Sequence, residues 1–174
     1  VEGGDSVGGL IGAMTPLSWA YVSLNGTYAS GKVTGNDSVG GLIGLIQGED
    51  GDAEIDVANS YASGAVTGVH AVGGLIGRIG EGDVSLFQIY ETGSVTGQDA
   101  VGGLIGHMNV GASFTDGYAT GAVSGATEKG GLFGHYASSS VANLYWDTDS
   151  SGTTVARGND AANFDGVTGL TRDQ

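Results

Sequence analysis

Residues 61–77 read YASGAVTGVHAVGGLIG, and close copies of this stretch recur along the chain. The closing hexapeptide VGGLIG begins at Val72, and related hexapeptides begin at Val7, Val39, Val101 and Lys129, the last of them reading KGGLFG. Successive starts are 32, 33, 29 and 28 residues apart. Internal repeats of this period are typical of solenoids, propellers and other arrays, so the repeat has to be interpreted before any single motif.

A second motif, YASGAVTG in the quoted stretch, precedes four of the five hexapeptides. Its tyrosine lies 11 residues before the start of the hexapeptide every time, at Tyr28, Tyr61, Tyr90 and Tyr118. That half of the repeat therefore has a fixed length. The length varies between each hexapeptide and the next tyrosine, for example over residues 47–53.

Each repeat contains three predicted strands. Apolar residues alternate with others just before each tyrosine, as at Ile55 and Val57, and this period of two indicates a half-buried strand. A second short strand surrounds the valine of the GxVxG motif, such as Val66, and a third runs through GGLIG. Glycines such as Gly31 and Gly35 mark the corners, where we expect positive φ or close backbone approach.

We therefore predict an all-β fold, a parallel β-helix (β-solenoid) of about five coils of 28–33 residues with three short strands each. Parallel coils stack about 4.8 Å apart, so equivalent residues form columns along the axis. One column is Tyr28, Tyr61, Tyr90, Tyr118 and Tyr145, and another is Leu10, Leu42, Leu75, Leu104 and Leu132. An antiparallel sandwich or a propeller is the alternative, although propeller blades have about 40 residues.

The chain divides into a repeat region, residues 1–145, and a C-terminal capping segment, residues 146–174. Tyr145 begins a sixth strand that no hexapeptide follows, and Trp146, Phe164 and Leu170 supply apolar anchors for a cap. The first hexapeptide lacks a preceding tyrosine strand. We therefore expect either an array excised from a longer one or a subunit whose open first coil stacks head to tail on another copy, because an open coil is an unpaired sheet edge.

The repeated GGLIG and the preceding GxVxG resemble the repeats of the GLUG motif family. The end of the chain extends this resemblance, with YWD at residues 145–147, SG at 151–152 and GLT at 169–171. Members of this family are bacterial and archaeal surface and secreted proteins, including adhesin-like proteins and some immunoglobulin A peptidases. The resemblance implies an extracellular or cell-surface location and supplies no catalytic residue, since a fold alone does not carry a function.

The composition limits the classes of partner. The chain has 36 glycines, no cysteine and 19 acidic residues against 5 basic ones, which gives a net charge of −14. Nucleic acids bind clustered lysine and arginine, so we expect no nucleic-acid partner. The sequence has no run of about 18 apolar residues, so we expect no membrane insertion.

One face of the GGLIG strand is a candidate docking surface. Strand parity places the isoleucine of each hexapeptide on the same face as the residue two positions later, which is Arg78, His107 or His135 in three coils. Such polar side chains should avoid an apolar core, so we expect this face to be the outer one, either exposed or covered by loops or the cap. A bulge at Gly40 and Gly41 would invert the parity. The predicted outer stripe is Ile11, Ile43, Ile76, Ile105 and Phe133.

Candidate metal ligands are few. His107 and His135 should lie on adjacent coils, but no third ligand is evident, so we predict no metal site there. Residues 147–152, DTDSSG, have the spacing of a calcium loop, but Gly158 stands where that loop carries a glutamate. We interpret the segment as an Asx-type turn and leave calcium binding open. We also predict a solvated acidic rim formed by Glu49, Asp50, Asp52, Glu54, Glu81 and Asp83.

The sequence has no recognisable Ser/His/Asp set, paired carboxylates or phosphate loop, so we predict no catalytic or cofactor-binding residue and no enzyme. The favoured hypothesis is a structural or adhesive segment of a secreted or cell-surface repeat protein, such as a fibre subunit or an adhesin stalk. Its expected partners are other copies and cell-surface or extracellular components. The alternatives are a carbohydrate- or calcium-binding solenoid acting through the acidic rim, and a polysaccharide-acting enzyme on the same scaffold.

Overall fold

A computed structural model describes residues 1–48, 52–109, 111–162 and 164–173. The molecule is all-β, and about five turns of parallel strands stack along one axis. The predicted β-solenoid is therefore confirmed. Every strand pairing among the described residues is parallel, which rules out the antiparallel sandwich.

The strands are short and follow the repeats of the sequence. The first coils contain β1 (Asp5–Gly8), β2 (Ile11–Met14), β3 (Tyr21–Asn25), β4 (Tyr28–Ala29), β5 (Val33–Thr34), β6 (Asp37–Gly40), β7 (Ile43–Ile46), β8 (Glu54–Ala58), β9 (Tyr61–Ala62), β10 (Val66–Thr67), β11 (His70–Gly73) and β12 (Ile76–Ile79). The later coils contain β13 (Asp83–Glu91), β14 (Val95–Thr96), β15 (Asp99–Gly102), β16 (Ile105–Met108), β17 (Ala112–Ala119), β18 (Val123–Ser124), β19 (Lys129–Gly130), β20 (Phe133–Tyr136), β21 (Ser140–Asp147), α1 (Thr148–Ser151) and β22 (Val167–Leu170).

Equivalent strands of successive coils pair to form four parallel sheets. We name them the tyrosine sheet (β3, β4, β8, β9, β13, β17, β21, β22), the valine sheet (β5, β10, β14, β18), the diglycine sheet (β1, β6, β11, β15, β19) and the isoleucine sheet (β2, β7, β12, β16, β20). The register places equivalent residues of the repeat over one another. In the diglycine sheet, for example, Val39 pairs with both Val7 and Val72.

The hexapeptide forms two strands and not the single strand predicted. Strand β11 ends at Gly73, the chain turns at Gly74 and Leu75, and β12 begins at Ile76. Each complete coil therefore has four sides. The leucine column lies at this corner, and its members are fully buried from Leu42 onward.

The hexapeptide glycines let the diglycine and isoleucine sheets approach closely. A Cβ atom on Gly73 would lie 1.9 Å from the carbonyl oxygen of Ile76. A Cβ atom on Gly77 would lie 2.4 Å from the carbonyl carbon of Ser38 in the diglycine sheet. Only glycine fits at such distances, because a side chain would have to overlap the backbone of the neighbouring strand.

The two predicted corner glycines differ. Gly35 is closely packed, since a Cβ atom there would lie 2.8 Å from the side chains of Val7 and Val39. Gly31 has open space around it and no positive φ. Its counterpart one coil later, Gly64, is crowded, because a Cβ atom there would lie 2.0 Å from the carbonyl oxygen of Gly31. The prediction of close approach thus holds at Gly35 and fails at Gly31.

Two apolar cores hold the coils together. The larger one lies between the tyrosine and isoleucine sheets and contains fully buried side chains such as Ile43, Ile55 and Phe114. The smaller one consists of valines from the valine and diglycine sheets, which are Val7, Val33, Val39, Val66, Val72, Val95, Val101 and Val123. Because every coil contributes to both cores, each coil is stabilised by its neighbours.

The residues after β20 pack on the last coil. Strand β22 pairs with β21, which adds a strand to the tyrosine sheet. The backbone of Ala156 accepts hydrogen bonds from Leu132 and Phe133, so this segment also covers the isoleucine sheet. Trp146 is buried and Phe164 packs against the larger core.

Candidate functional site

The tyrosine column is the most prominent outward feature of the solenoid. The rings of Tyr61 and Tyr90 stack with centroids 4.8 Å apart and planes 4° apart. The same arrangement continues to Tyr28 at 5.2 Å and to Tyr118 at 4.9 Å. Tyr145 pairs with Tyr118 in the β-ladder and extends the column by one coil. The predicted tyrosine column is therefore confirmed.

A polar column lies two residues before the tyrosines. Asn59, Gln88, Asp116 and Asn143 all have φ between 50° and 58°, and Gly26 holds the equivalent place in the first coil with φ of 66°. Asparagine, aspartate and glycine tolerate this left-handed conformation better than most residues. The conformation separates β3 from β4 and β8 from β9, whereas β13, β17 and β21 continue through it to the tyrosine.

Hydrogen bonds along the axis hold the polar column in place. The Asn143 amide donates to a carboxylate oxygen of Asp116 at 2.8 Å. The Asn59 amide donates to the side-chain oxygen of Asn25 at 3.1 Å. These contacts join neighbouring coils and orient the amide groups beside the tyrosines.

The two columns enclose a groove, which we call the tyrosine groove. It is an open depression of about 760 Å³ that crosses the coils of Tyr61, Tyr90, Tyr118 and Tyr145. One wall is the tyrosine column, the other is the polar column, and Ile89 and Gly117 lie between them. Partial burial raises the pKa of the Tyr118 hydroxyl above its ordinary value.

A second depression adjoins the C-terminal end of the groove. It measures about 390 Å³ and shares Tyr118 and Tyr145 with the tyrosine groove. Its other lining residues include Trp146, Leu170 and Arg172. The surface available to a ligand therefore extends past the last tyrosine onto the segment that covers the last coil.

The predicted outer stripe is wrong. Ile43, Ile76, Ile105 and Phe133 are fully buried in the larger core, and Ile11 is partly buried. The error lies in the assumption of strict alternation. Both Ile43 and Ile46 are buried although they are three residues apart, while Leu45 between them is partly exposed. The close approach of Gly44 to the diglycine sheet accompanies this break in alternation.

The two histidines lie on adjacent coils, as predicted. The rings of His107 and His135 stack with centroids 4.5 Å apart. His107 contacts the Asn109 side-chain oxygen through Nε2 at 2.9 Å, and His135 contacts Glu128 through Nδ1 at 2.9 Å. Desolvation lowers the pKa of His107. In the described part of the chain, no three His, Cys, Asp or Glu side chains cluster in a way that could hold a metal ion.

The segment at residues 147–152 forms the predicted Asx-type turn. Asp147 caps the N-terminus of α1, with Oδ1 accepting hydrogen bonds from the backbone N–H of Asp149 at 2.8 Å and of Ser150 at 3.1 Å. Gly152 ends the turn with φ of 64°. The backbone hydrogen bond from Ser150 is the main cause that lowers the pKa of Asp147.

The acidic rim is only partly within the described residues. Asp52, Glu54, Glu81 and Asp83 are exposed, and Glu54 pairs with Asp83 of the next coil in the β-ladder. Glu49 and Asp50 lie outside the described residues. Glu54 and Asp83 are the first residues of β8 and β13 in the tyrosine sheet, and the described residues of the rim do not line the tyrosine groove.

Glu91 is a buried carboxyl that the interpretation of the sequence missed. It directly follows Tyr90, in a column otherwise occupied by Ala29, Ala62, Ala119 and Trp146. The residue is fully buried, and burial raises its pKa to about 8. The N–H groups of Gly93 and Gly121 lower this pKa in part, but neither carboxylate oxygen makes a hydrogen bond of good geometry within the described residues. Glu91 has no access to solvent, so it belongs to the interior of the solenoid and not to a surface site.

No known family model matches the chain, and no curated protein or solved structure is detectably similar to it. The resemblance to GLUG repeats thus remains a prediction from the motifs. Among the described residues, no helix is long and apolar enough to span a membrane.

Proposed function

We propose that this chain is a structural and adhesive segment of a secreted or cell-surface repeat protein, and that it holds its ligand in the tyrosine groove. The observation that carries this proposal is the continuous outward groove between two in-register columns. Solenoids commonly present extended binding surfaces in this way, since each coil repeats the same contact groups.

The packing of the coils supports a role as a stiff segment. Four parallel sheets connect each coil to the next by backbone hydrogen bonds. At the hexapeptide glycines, the diglycine and isoleucine sheets approach so closely that there is no room for a side chain. A rod built in this way resists bending and sliding, which suits a stalk or a spacer.

The chemistry of the groove supports binding without catalysis. Among the described residues that line it, Asp116 is the one carboxylate, and no histidine, lysine or arginine lines it. Hydrolysis of glycosides ordinarily uses a pair of carboxylates. Glu91 does not supply the partner, because it is buried on the core side of the sheet.

An adhesion assay tests the proposal. Beads coated with the protein should attach under flow to bacterial or host cell surfaces. The double variant Tyr90→Ala/Tyr118→Ala should lose most of this attachment, because it removes the centre of one groove wall. Trp19→Ala is the matched control, since Trp19 is an 83% exposed aromatic side chain that does not line the groove. Equal attachment of the double variant and the control, with both proteins folded, would refute the adhesive role.

A further inference from the structure

We propose that the tyrosine groove binds a neutral, linear polysaccharide whose chain runs parallel to the solenoid axis. This inference rests on the proposed adhesive function and names its ligand. Four properties of the groove carry it: its periodicity, its hydrogen-bonding groups, its charge and the orientation of its rings.

The groove has the shape and period of an extended polymer site. It crosses four coils in a straight line, with tyrosines repeating every 4.8–4.9 Å through Tyr61, Tyr90 and Tyr118. This spacing is comparable to the length of one sugar unit in an extended chain. Each coil therefore forms one subsite, and successive sugar units meet nearly the same groups.

The walls offer both donors and acceptors of hydrogen bonds. The amides of Asn59, Gln88 and Asn143 each carry an N–H₂ donor and a carbonyl acceptor, and a tyrosine hydroxyl can do both. A sugar hydroxyl also donates and accepts. The axial hydrogen bonds of Asn59 and Asn143 orient these amides before the ligand arrives, which lowers the entropic cost of binding.

The charge of the groove favours a neutral ligand. Asp116 is the ionisable carboxyl in the polar wall, and no cationic side chain lines the groove in the described part of the chain. The chain has a net charge of −14. Polymers with carboxylate or sulfate groups would be repelled, because nothing in the groove compensates their charge.

The stacking of the rings distinguishes an oxygen-rich ligand from a basic peptide. Both faces of Tyr61 and Tyr90 are covered by neighbouring rings, so the rings present their edges to the groove. Aromatic edges carry partial positive charge and attract oxygen atoms. Cation–π contacts with lysine or arginine need an open ring face, and these faces are already occupied.

Calorimetric titration with defined oligomers tests the inference. The probes are neutral β-1,4-linked glucan, mannan and xylan oligosaccharides and neutral α-linked glucans of two to eight units. Oligogalacturonate serves as the acidic probe and oligolysine as the basic peptide probe. We expect at least one neutral series to bind, with affinity rising with each unit up to about four and then levelling off, because the groove crosses four coils. Oligogalacturonate of equal length should bind at least tenfold more weakly.

Two variants separate the walls. Tyr90→Ala/Tyr118→Ala should weaken binding of the four-unit oligomer by tenfold or more, as expected for central contacts. Gln88→Gly removes one amide and places glycine, which adopts positive φ without strain, at this position, so it should weaken binding about three- to tenfold without unfolding the protein. Trp19→Ala should bind like the wild type. Thermal melting of each variant controls for folding.

The outcomes distinguish this inference from the adhesive function. If no neutral oligosaccharide binds, or if oligolysine binds in the groove instead, the polysaccharide inference is overturned. The adhesive function survives that result as long as the double tyrosine variant still loses attachment in the bead assay. Affinity that does not depend on oligomer length, or that ignores both groove variants, also overturns the inference.

Discussion

Replacing Glu91 with alanine should stabilise the protein, and the gain should grow as the pH rises. Glu91 is fully buried, and burial raises its pKa to about 8 from an ordinary value of about 4.5. The unfolded chain therefore loses this proton near pH 4.5, whereas the folded protein keeps it up to about pH 8. The contribution of Glu91 to folding stability is therefore most favourable below pH 4.5 and falls by about 1.4 kcal/mol per pH unit up to about pH 8.

The size of the effect follows from these two pKa values. The difference of about 3.5 units corresponds to about 5 kcal/mol, most of which is lost between pH 5 and pH 9. Alanine should fit at this position without strain. The same column already holds Ala62 and Ala119, each facing a hexapeptide glycine as Glu91 faces Gly74.

Urea denaturation at pH 5, 7 and 9 measures the effect. The advantage of Glu91→Ala over the wild type should increase by about 4 kcal/mol from pH 5 to pH 9. Glu91→Gln should also lose this pH dependence, because it cannot ionise. Glu81→Ala removes the same charge from an exposed position, so its profile should run parallel to that of the wild type. Parallel profiles for Glu91→Ala and the wild type would refute the reasoning.

Three further predictions concern the packing of the coils, each measured by thermal or urea unfolding. Gly77→Ala should lower the free energy of unfolding by more than about 3 kcal/mol, because its Cβ atom would overlap the diglycine sheet. Gly31→Ala, in open space, should change it by less than about 1 kcal/mol. Equal effects of the two substitutions would contradict the close approach of the sheets. Leu75→Ala should cost about 3 kcal/mol because Leu75 is fully buried, and Leu10→Ala should cost clearly less because Leu10 is 49% exposed. Asn143→Val should lower the free energy of unfolding by about 1–2 kcal/mol more than Asn143→Gly does, because valine is poorly suited to the positive φ at this position. A smaller loss of stability with valine than with glycine would contradict the assigned conformation.

The stacking of coils could be predicted because equivalent residues recur at a nearly constant spacing. The tyrosine and leucine columns follow directly from that spacing, and both are observed. The length of each repeat and the glycine-marked corners also indicated short strands. The repeat thus carries most of the information about the fold.

The inner and outer faces could not be predicted at the hexapeptide. Strict alternation assigns Ile76 and Arg78 to one face, but the corner at Gly74 and Leu75 and the close approach of Gly77 break that alternation. A glycine can form either a corner or a close backbone contact, and the sequence does not indicate which of the two it forms. The direction of the following side chains depends on that choice.

Only one of the two walls of the tyrosine groove was predicted from the sequence. The tyrosine column was predicted, but its second wall was not. A signal existed, because glycine, asparagine or aspartate, which tolerate positive φ, stands two residues before four of the five tyrosines, at Gly26, Asn59, Asp116 and Asn143. Glu91 was also visible as the glutamate in YETG where the other copies have alanine. Its burial follows from the column, which only the register reveals.

Pairs of cysteines on neighbouring coils test the parallel in-register stacking most directly. Ser85 pairs with Ser113, and their hydroxyl oxygens lie 3.2 Å apart, while Ser113 pairs in turn with Ser140. The wild-type chain has no cysteine to interfere. Ser85→Cys/Ser113→Cys should form a disulfide under mild oxidation, because paired strands bring the two Cα atoms within the required range. Ser85→Cys/Ser140→Cys should not, because those residues are two coils apart; efficient bridging of that pair, or none in the first, would contradict the stacked architecture.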